Sequence, residues 1–227
     1  MTAEAVETWA GLEAPYRVAL DLAWQSARAG SLGIGAVITD ADGTVVATGR
    51  NRLMEHEPGE DLLAGTSLAH AEMNALGKLR WRGHEGARLT IWSTLEPCLM
   101  CAGSIRLAPI AEVRYLAPDP LFAGVQEARH LNDFIASRWP DVLGPRTDEL
   151  AVFGLLLPAH VGAFWGALQA GWTEALPAIS ALAADLARSE ELIAASHDGM
   201  RVDELVAHLW DRLGEATEDL VRDASVR

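Results

Sequence analysis

The chain has 227 residues, half of them hydrophobic, which suits one large domain or a domain of about 150 residues with an appendage. Its 32 acidic residues outweigh 18 basic ones, of which only Lys78 is lysine, for a formal net charge of −14. This composition argues against nucleic acid, whose binding needs basic surface to displace counterions, and against polybasic membrane attachment. Two cysteines make no disulfide framework, and MTAEAVETWAGLEAPYR lacks the basic and then apolar regions of a signal peptide, so a cytoplasmic location is expected.

Residues 14–29 place Tyr16, Leu20, Trp24 and Ala27 at helical spacing, and Gly30 ends the pattern. IGAVITD at 34–40, a turn at Ala41-Asp42-Gly43, and TVVATG make a β-hairpin. The polar, Gly- and Pro-punctuated stretch 49–66 is a long loop of the kind that often carries function. Ser67 is the expected N-cap of a helix LAHAEMNALGKLRWR that ends by Gly83. ARLTIWST at 87–94 is a strand, CLMCAGSIRLA a helix, and AEVRYLA at 111–117 a further strand, followed by the loop PDPLFAG. Strands alternating with helices predict an α/β layered domain.

Two units are expected: residues 1–147, and a mostly helical extension 148–227 that holds 5 basic against 14 acidic residues. Ala151–Gly171 has no charged residue and is long enough to span a bilayer, but Pro158, His160, Gln169 and four glycines interrupt it. The preferred reading is a buried strand or short helix ending near Leu157, and then a buried helix starting at Pro158. Residues 158–213 read as amphipathic helices, the strongest carrying Val202, Leu205, Val206, Leu209, Trp210 and Leu213. They are expected to cover a core face or a dimer partner, or to close over the partner's active site. The charged tail from Glu215 is expected to fray.

The chemistry concentrates in LEPCLMC, Leu95 to Cys101, which holds both cysteines three residues apart. A strand, then C-x-x-C, then a helix is a thioredoxin-like context, because a helix N-terminus favours thiolate. Thiolate is also what zinc binds, so the local context leaves a redox pair and a metal pair both open. His70, 28 residues upstream, offers a third ligand. One nitrogen and two thiolates leave a fourth tetrahedral position free, which separates catalytic from structural zinc sites. Zinc lowers the pKa of bound water to about 7 and then needs a proton carrier, for which Glu72 is the candidate. At about 100° per residue, His70 and Glu72 would point about 200° apart on a regular helix, so Glu72 should not be a co-ligand.

His70-Ala71-Glu72 followed by Pro97-Cys98-Leu99-Met100-Cys101 resembles the H-x-E…P-C-x-x-C pattern of zinc-dependent nucleobase and nucleoside deaminases. The longer run, Thr94 to Cys98 and Met100 to Gly103, looks most like the branch with guanine deaminases and tRNA adenosine deaminases. The likeness covers about residues 15–125, leaving the extension outside. The tight C-x-x-C argues against the riboflavin-pathway branch, whose second cysteine lies further on.

The resemblance implies a cytidine deaminase-like three-layer α/β/α fold with a five-stranded mixed sheet. It implies zinc on His70, Cys98 and Cys101, Glu72 as proton shuttle, and a homodimer. It places substrate contacts at Asn51 and at the backbone N–H of Ala71, although GTSLA at 65–69 replaces the short D-P-T-A of the tRNA enzymes. Asp119 and Phe122 follow a strand on the side where ligands bind in open α/β sheets, which makes them further substrate candidates. Trp92 reads as core, Trp81 and Trp139 as core or base-stacking residues, and Glu96 as a structural carboxylate near a helix start. The other histidines have no metal-like spacing.

The expected activity is hydrolytic deamination of a free nucleobase, nucleoside or related amino-heterocycle, with a purine such as guanine favoured and ammonia released. A polyanionic substrate fits the net charge poorly, so tRNA adenosine deaminase is the alternative. A thiol–disulfide oxidoreductase using Cys98 and Cys101 is the alternative from another class.

Overall fold

The structure, a computed structural model, describes residues 2–80, 88–161 and 166–224. The helical end expected at Gly83 and the side chain of Trp81 lie outside them.

Helices α1 (Ala3–Gly11) and α2 (Ala14–Arg28) lead into the hairpin β1 (Gly35–Thr39) and β2 (Val45–Arg50). After a long loop come α3 (Ala71–Gly77), β3 (Leu89–Leu95), α4 (Leu99–Leu107) and β4 (Ile110–Ala117). A 3₁₀ turn at Val125–His130 and the short α5 (Asp133–Ala136) precede β5 (Asp141–Leu143). The described strands form one five-stranded sheet in the order β2-β1-β3-β4-β5. β1 is antiparallel to both β2 and β3, while β3–β4 and β4–β5 are parallel. The mixed sheet expected from the resemblance is therefore present. β5 has only three residues and left no strand pattern to find.

Helices cover both faces, and two glycines show how closely. A Cβ at Gly35 would lie 2.1 Å from the Ala19 carbonyl oxygen of α2. Gly49 pairs with Ala36, the neighbour of Gly35, so it faces the other side of the sheet. A Cβ there would lie 2.3 Å from the Ala71 carbonyl oxygen and 2.4 Å from the Ala75 nitrogen of α3. Helices α3 and α4 thus share one face, and α2 takes the other.

The extension comprises α6 (Glu149–Val161), α7 (Gly166–Ala175), α8 (Pro177–Arg188), α9 (Glu191–His197), α10 (Val202–Glu215) and α11 (Glu218–Ala224). Helix α6 lies on β3 and β4 beside α2, and α8 and α10 pack on it from outside. It runs unbroken through Pro158, where the sequence pointed to a helix start. Proline costs an interior helix about 3 kcal/mol. The continuous burial of Leu150 to Leu157 opposes that cost, because an all-apolar helix is stable only inside a core.

Two further expectations change. The tail does not fray at Glu215: in α11 Leu220 is buried, and the Asp219 carboxylate accepts from the Ile179 amide at 3.0 Å. The third helix does not start after Ser67. His70 has extended backbone, φ −74° and ψ 156°, and is itself the N-cap. The Arg52 amide donates to the Ala69 carbonyl at 2.9 Å and ties this approach to the end of β2.

No helix among the described residues is long and apolar enough to cross a membrane.

Candidate metal centre and its cavity

Two helix starts meet below the carboxyl ends of β3 and β4. His70 is the N-cap of α3 and Cys98 the N-cap of α4, and neither side chain caps its own helix. Both are turned toward each other. Cys98 Sγ and Cys101 Sγ each lie 3.6 Å from His70 Nδ1. All three donor atoms lie within 4.8 Å of one another. A tetrahedral centre with metal–sulfur bonds of about 2.3 Å and a metal–nitrogen bond of about 2.0–2.1 Å has an S···N edge of about 3.6 Å. The donor set and its spacing therefore fit zinc, with three protein ligands and room for a fourth.

Glu72 lies in the first turn of α3 and is 4 % exposed. Its Oε2 accepts from Cys101 Sγ at 3.4 Å, and its Oε1 accepts from Ser93 Oγ at 3.2 Å. Because His70 precedes the helix, the angular argument from a regular helix does not govern the pair. What separates their roles is that Nδ1 faces both sulfurs while the carboxylate spans Cys101 and Ser93.

The charges are interdependent. A hydrogen bond from Cys101 pulls the Cys98 thiol down to about 4, against its burial and with help from His70. Cys101 is pushed well above the usual thiol range by that same bond, by burial and by the charge of Glu72. Burial lowers His70, but its bond to Cys98 and the charges of Glu72, Cys98 and Asp119 outweigh this, so it is raised. Burial raises the Glu72 carboxyl, and the positive His70 opposes it. Such a set of acids and bases is what a divalent cation organises by replacing shared protons.

The centre opens into a cavity of about 540 Å³. Asp119 and Phe122 both lie on its wall beside His70, Glu72 and Cys98. The Asp119 side chain accepts from the Leu121 amide at 3.0 Å, and its own amide donates to Glu96 at 3.1 Å, which fixes the loop after β4 against the end of β3. Glu96, read from sequence as structural, also reaches the wall. Asn51 and Ala71 are fully buried and are not on it. Asn51 Oδ1 accepts from the Leu53 amide at 3.0 Å, and its Nδ2 has no partner among the described residues.

The long loop is clamped rather than loose. Asn74 of α3 accepts from the Leu63 amide and donates to the Leu63 and Arg50 carbonyls. Asp61 bridges Arg52 and Lys78, at 2.7 Å to each. Leu53 and Ser67 from this segment reach the cavity. Trp92 is core, stacked edge-on against Tyr16, and Trp139 donates to Gln126 away from the cavity.

The sequence reading missed the far wall. It comes from the extension, through His160, Trp172, Ser180 and Ala184 among others. No spacing in the sequence announces these residues as site residues. Without a fold, the alanines of α8 look like ordinary helix formers.

Residues 11–117 match the family described as the cytidine and deoxycytidylate deaminase zinc-binding region. A tRNA-specific adenosine deaminase of Streptococcus pyogenes serotype M1 is 37% identical over 111 residues, covering 47% of this chain and 58% of that one. A cytosine deaminase of Candida albicans is 37% identical over 95 residues, covering 40% and 56%. The chain thus spans less than two thirds of the length of these curated relatives. A solved guanine deaminase from Nitrosomonas europaea is 19% identical, covering 75% of this chain and 94% of that one, with a TM-score of 0.44. The segment that matches this family contains His70, Glu72, Cys98 and Cys101, in agreement with the donor set.

Proposed function

We propose that the chain is a zinc-dependent hydrolytic deaminase of a small amino-heterocycle, a free nucleobase or nucleoside, and that a purine such as guanine is the first substrate to try. The observation that carries this reading is the buried Glu72 carboxylate beside the His70, Cys98 and Cys101 donors, at the inner end of a cavity of about 540 Å³. His70, Cys98 and Cys101 would hold the metal, which when bound supplies a Lewis acid that activates water near neutral pH.

The remaining work falls to this chain's own side chains. Glu72 takes one proton from water and passes it to the ring nitrogen, then takes the second from the added hydroxyl and passes it to the departing amine. Oxygen from water replaces the exocyclic amine, ammonia leaves, and a carbonyl remains. Ser93, hydrogen-bonded to Glu72, holds the carboxylate in place. Asp119 and Phe122 contact the ring from the wall. Asn51, with its amide nitrogen unpartnered among the described residues, and the backbone of Ala71 are candidates to position the substrate near the metal. A homodimer belongs to the same proposal.

The identity to tRNA-specific adenosine deaminases favours a second reading, in which tRNA is the substrate. Against it stand the net charge of −14 and a cavity wall with no Lys or Arg among its described residues. No observation beyond the cysteine pair favours a disulfide oxidoreductase.

The test is ammonia release from zinc-analysed protein across amino-purines, amino-pyrimidines and tRNA, with Glu72→Ala in parallel. Release from one class of small ring, lost by about 10²–10⁴-fold in the variant with zinc retained, is the expected result. Release from tRNA alone moves the assignment to the second reading. Turnover that survives Glu72→Ala sinks the role given to Glu72.

A further inference from the structure

The cavity has two unlike walls. On the metal side stand three carboxylates, Glu72, Glu96 and Asp119. The opposite wall is built by α6, α7 and α8, which lie outside the matched family segment, and its described residues carry no Asp, Glu, Lys or Arg.

Helix α8 shows how this wall is made. Ile179 and Leu186 are buried and absent from the cavity wall, while Ala183 is buried and also reaches it. Ala181, Ala184 and Ala187, one turn apart in succession, are exposed and line the cavity. An exposed helix face ordinarily carries charged side chains. Here the charged Asp185 and Arg188 are absent from the wall, and methyl groups face the cavity instead. Trp172 of α7 adds an aromatic surface, and Ser180 a hydroxyl. The approach of α7 depends on Gly171, where a Cβ would lie 2.5 Å from Leu121 Cδ2 in the loop after β4. The extension therefore meets the metal-side loop directly and closes the cavity of its own chain.

We propose that the α6–α8 wall is a substrate-selecting subsite that takes an uncharged apolar or aromatic substituent carried on the amino-heterocycle. This rests on the deaminase reading of the metal side. The cavity volume falls in the range of about 300–1,000 Å³ typical of drug-sized ligands, and a bare base held near the metal would leave the alanine face unused. A phosphorylated substrate would meet three carboxylates and no cation among the described lining residues, so nucleotides are disfavoured.

The experiment uses the full zinc-loaded chain. Guanine, adenine and cytosine are compared with derivatives benzylated on a ring nitrogen (N9 of the purines, N1 of cytosine), which keep the free exocyclic amine, and with their nucleoside monophosphates, by ammonia release and by calorimetric binding. The expected result is that the benzyl derivative of the reactive base exceeds the bare base in kcat/KM by at least about tenfold, with the monophosphate below both. Ala184→Phe, which projects into the cavity, lowers the benzyl-to-bare ratio by about tenfold or more through KM and leaves zinc content intact. Ala181→Leu moves the ratio in the same direction and covers the case in which the first variant folds poorly.

A ratio unchanged in both folded variants, or no preference for the benzyl derivatives, overturns the subsite. Benzyl derivatives that bind and lose binding in Ala184→Phe, with no ammonia released from any base or derivative, uphold the subsite and refute the deaminase reading. The absence of both binding and turnover refutes the subsite.

Discussion

The two walls of the cavity reach their form by opposite routes. The metal side is assembled from the starts of two short helices, where His70 and Cys98 occupy N-cap positions and spend their side chains on each other. Its geometry depends on a few polar atoms held to tenths of an ångström. The α6–α8 side is assembled from whole helices packed through apolar faces, and what it offers the cavity is space and surface. A change of one atom should matter on the first wall, and a change of volume on the second.

That contrast can be broken at several points. The largest effect is expected from Cys98→Ala. Zinc content should fall below about a tenth of the parent's, and ammonia release by a factor on the order of 10³ or more, with helix content by circular dichroism largely kept. Zinc at parental levels would show that Cys98 is not a ligand.

Leu209→Ala tests the helical side by stability. Leu209 is fully buried on α10, which packs against α6. Its truncation should cost about 2–5 kcal/mol in a denaturant titration. A loss under about 1 kcal/mol would mean that α10 is not firmly seated on α6.

Gly49→Ala joins stability to metal. The new methyl would have to displace the first turns of α3, with backbone atoms at 2.3 and 2.4 Å. A cost of about 1–3 kcal/mol is expected, together with weaker zinc retention against a chelator, because α3 carries His70. Unfolding that shifts while zinc retention does not would separate the sheet–helix contact from the site.

The smallest effect belongs to Glu191, which accepts from His208 and Arg212, each at 2.7 Å. Burial works against its charge, but these two partners prevail and hold its pKa below the ordinary carboxylate value. A depressed folded pKa contributes stability that is present above the unfolded pKa and is lost as pH falls through the folded one. Glu191→Gln should therefore cost only about 0.2–1 kcal/mol near neutral pH, and the difference from the parent should vanish in acid. A difference that grows on acidification would reverse the sign.

The metal side was legible from sequence because its information is local and chemical. Two cysteines three apart and a His-x-Glu need no fold to be noticed, and the hairpin and β4 announced themselves by alternation and turn residues. The start of α3 was misplaced at Ser67 because a serine before an apolar run is a good cap by propensity. The long-range bond from Arg52 to Ala69, invisible in one dimension, keeps the chain extended to His70. Pro158 misled for a related reason: local preference favoured a helix start, and burial on every side decided otherwise. The alanines of α8 were unreadable in principle, since a small side chain carries no chemical signature until something is seen opposite it.

Helix α6 has a consequence for how the two parts can be handled. Its residues Leu150 to Leu157 are sealed against the sheet and the outer helices, and a Cβ at Gly154 would lie 3.0 Å from the Thr94 carbonyl oxygen at the end of β3. A fragment stopped at residue 147 would leave the apolar faces of β3, β4 and α2 bare to solvent. The extension is therefore not a detachable accessory. Shortening the chain before α6 would examine solubility, whereas the choice of substrate has to be probed by point changes within an intact molecule.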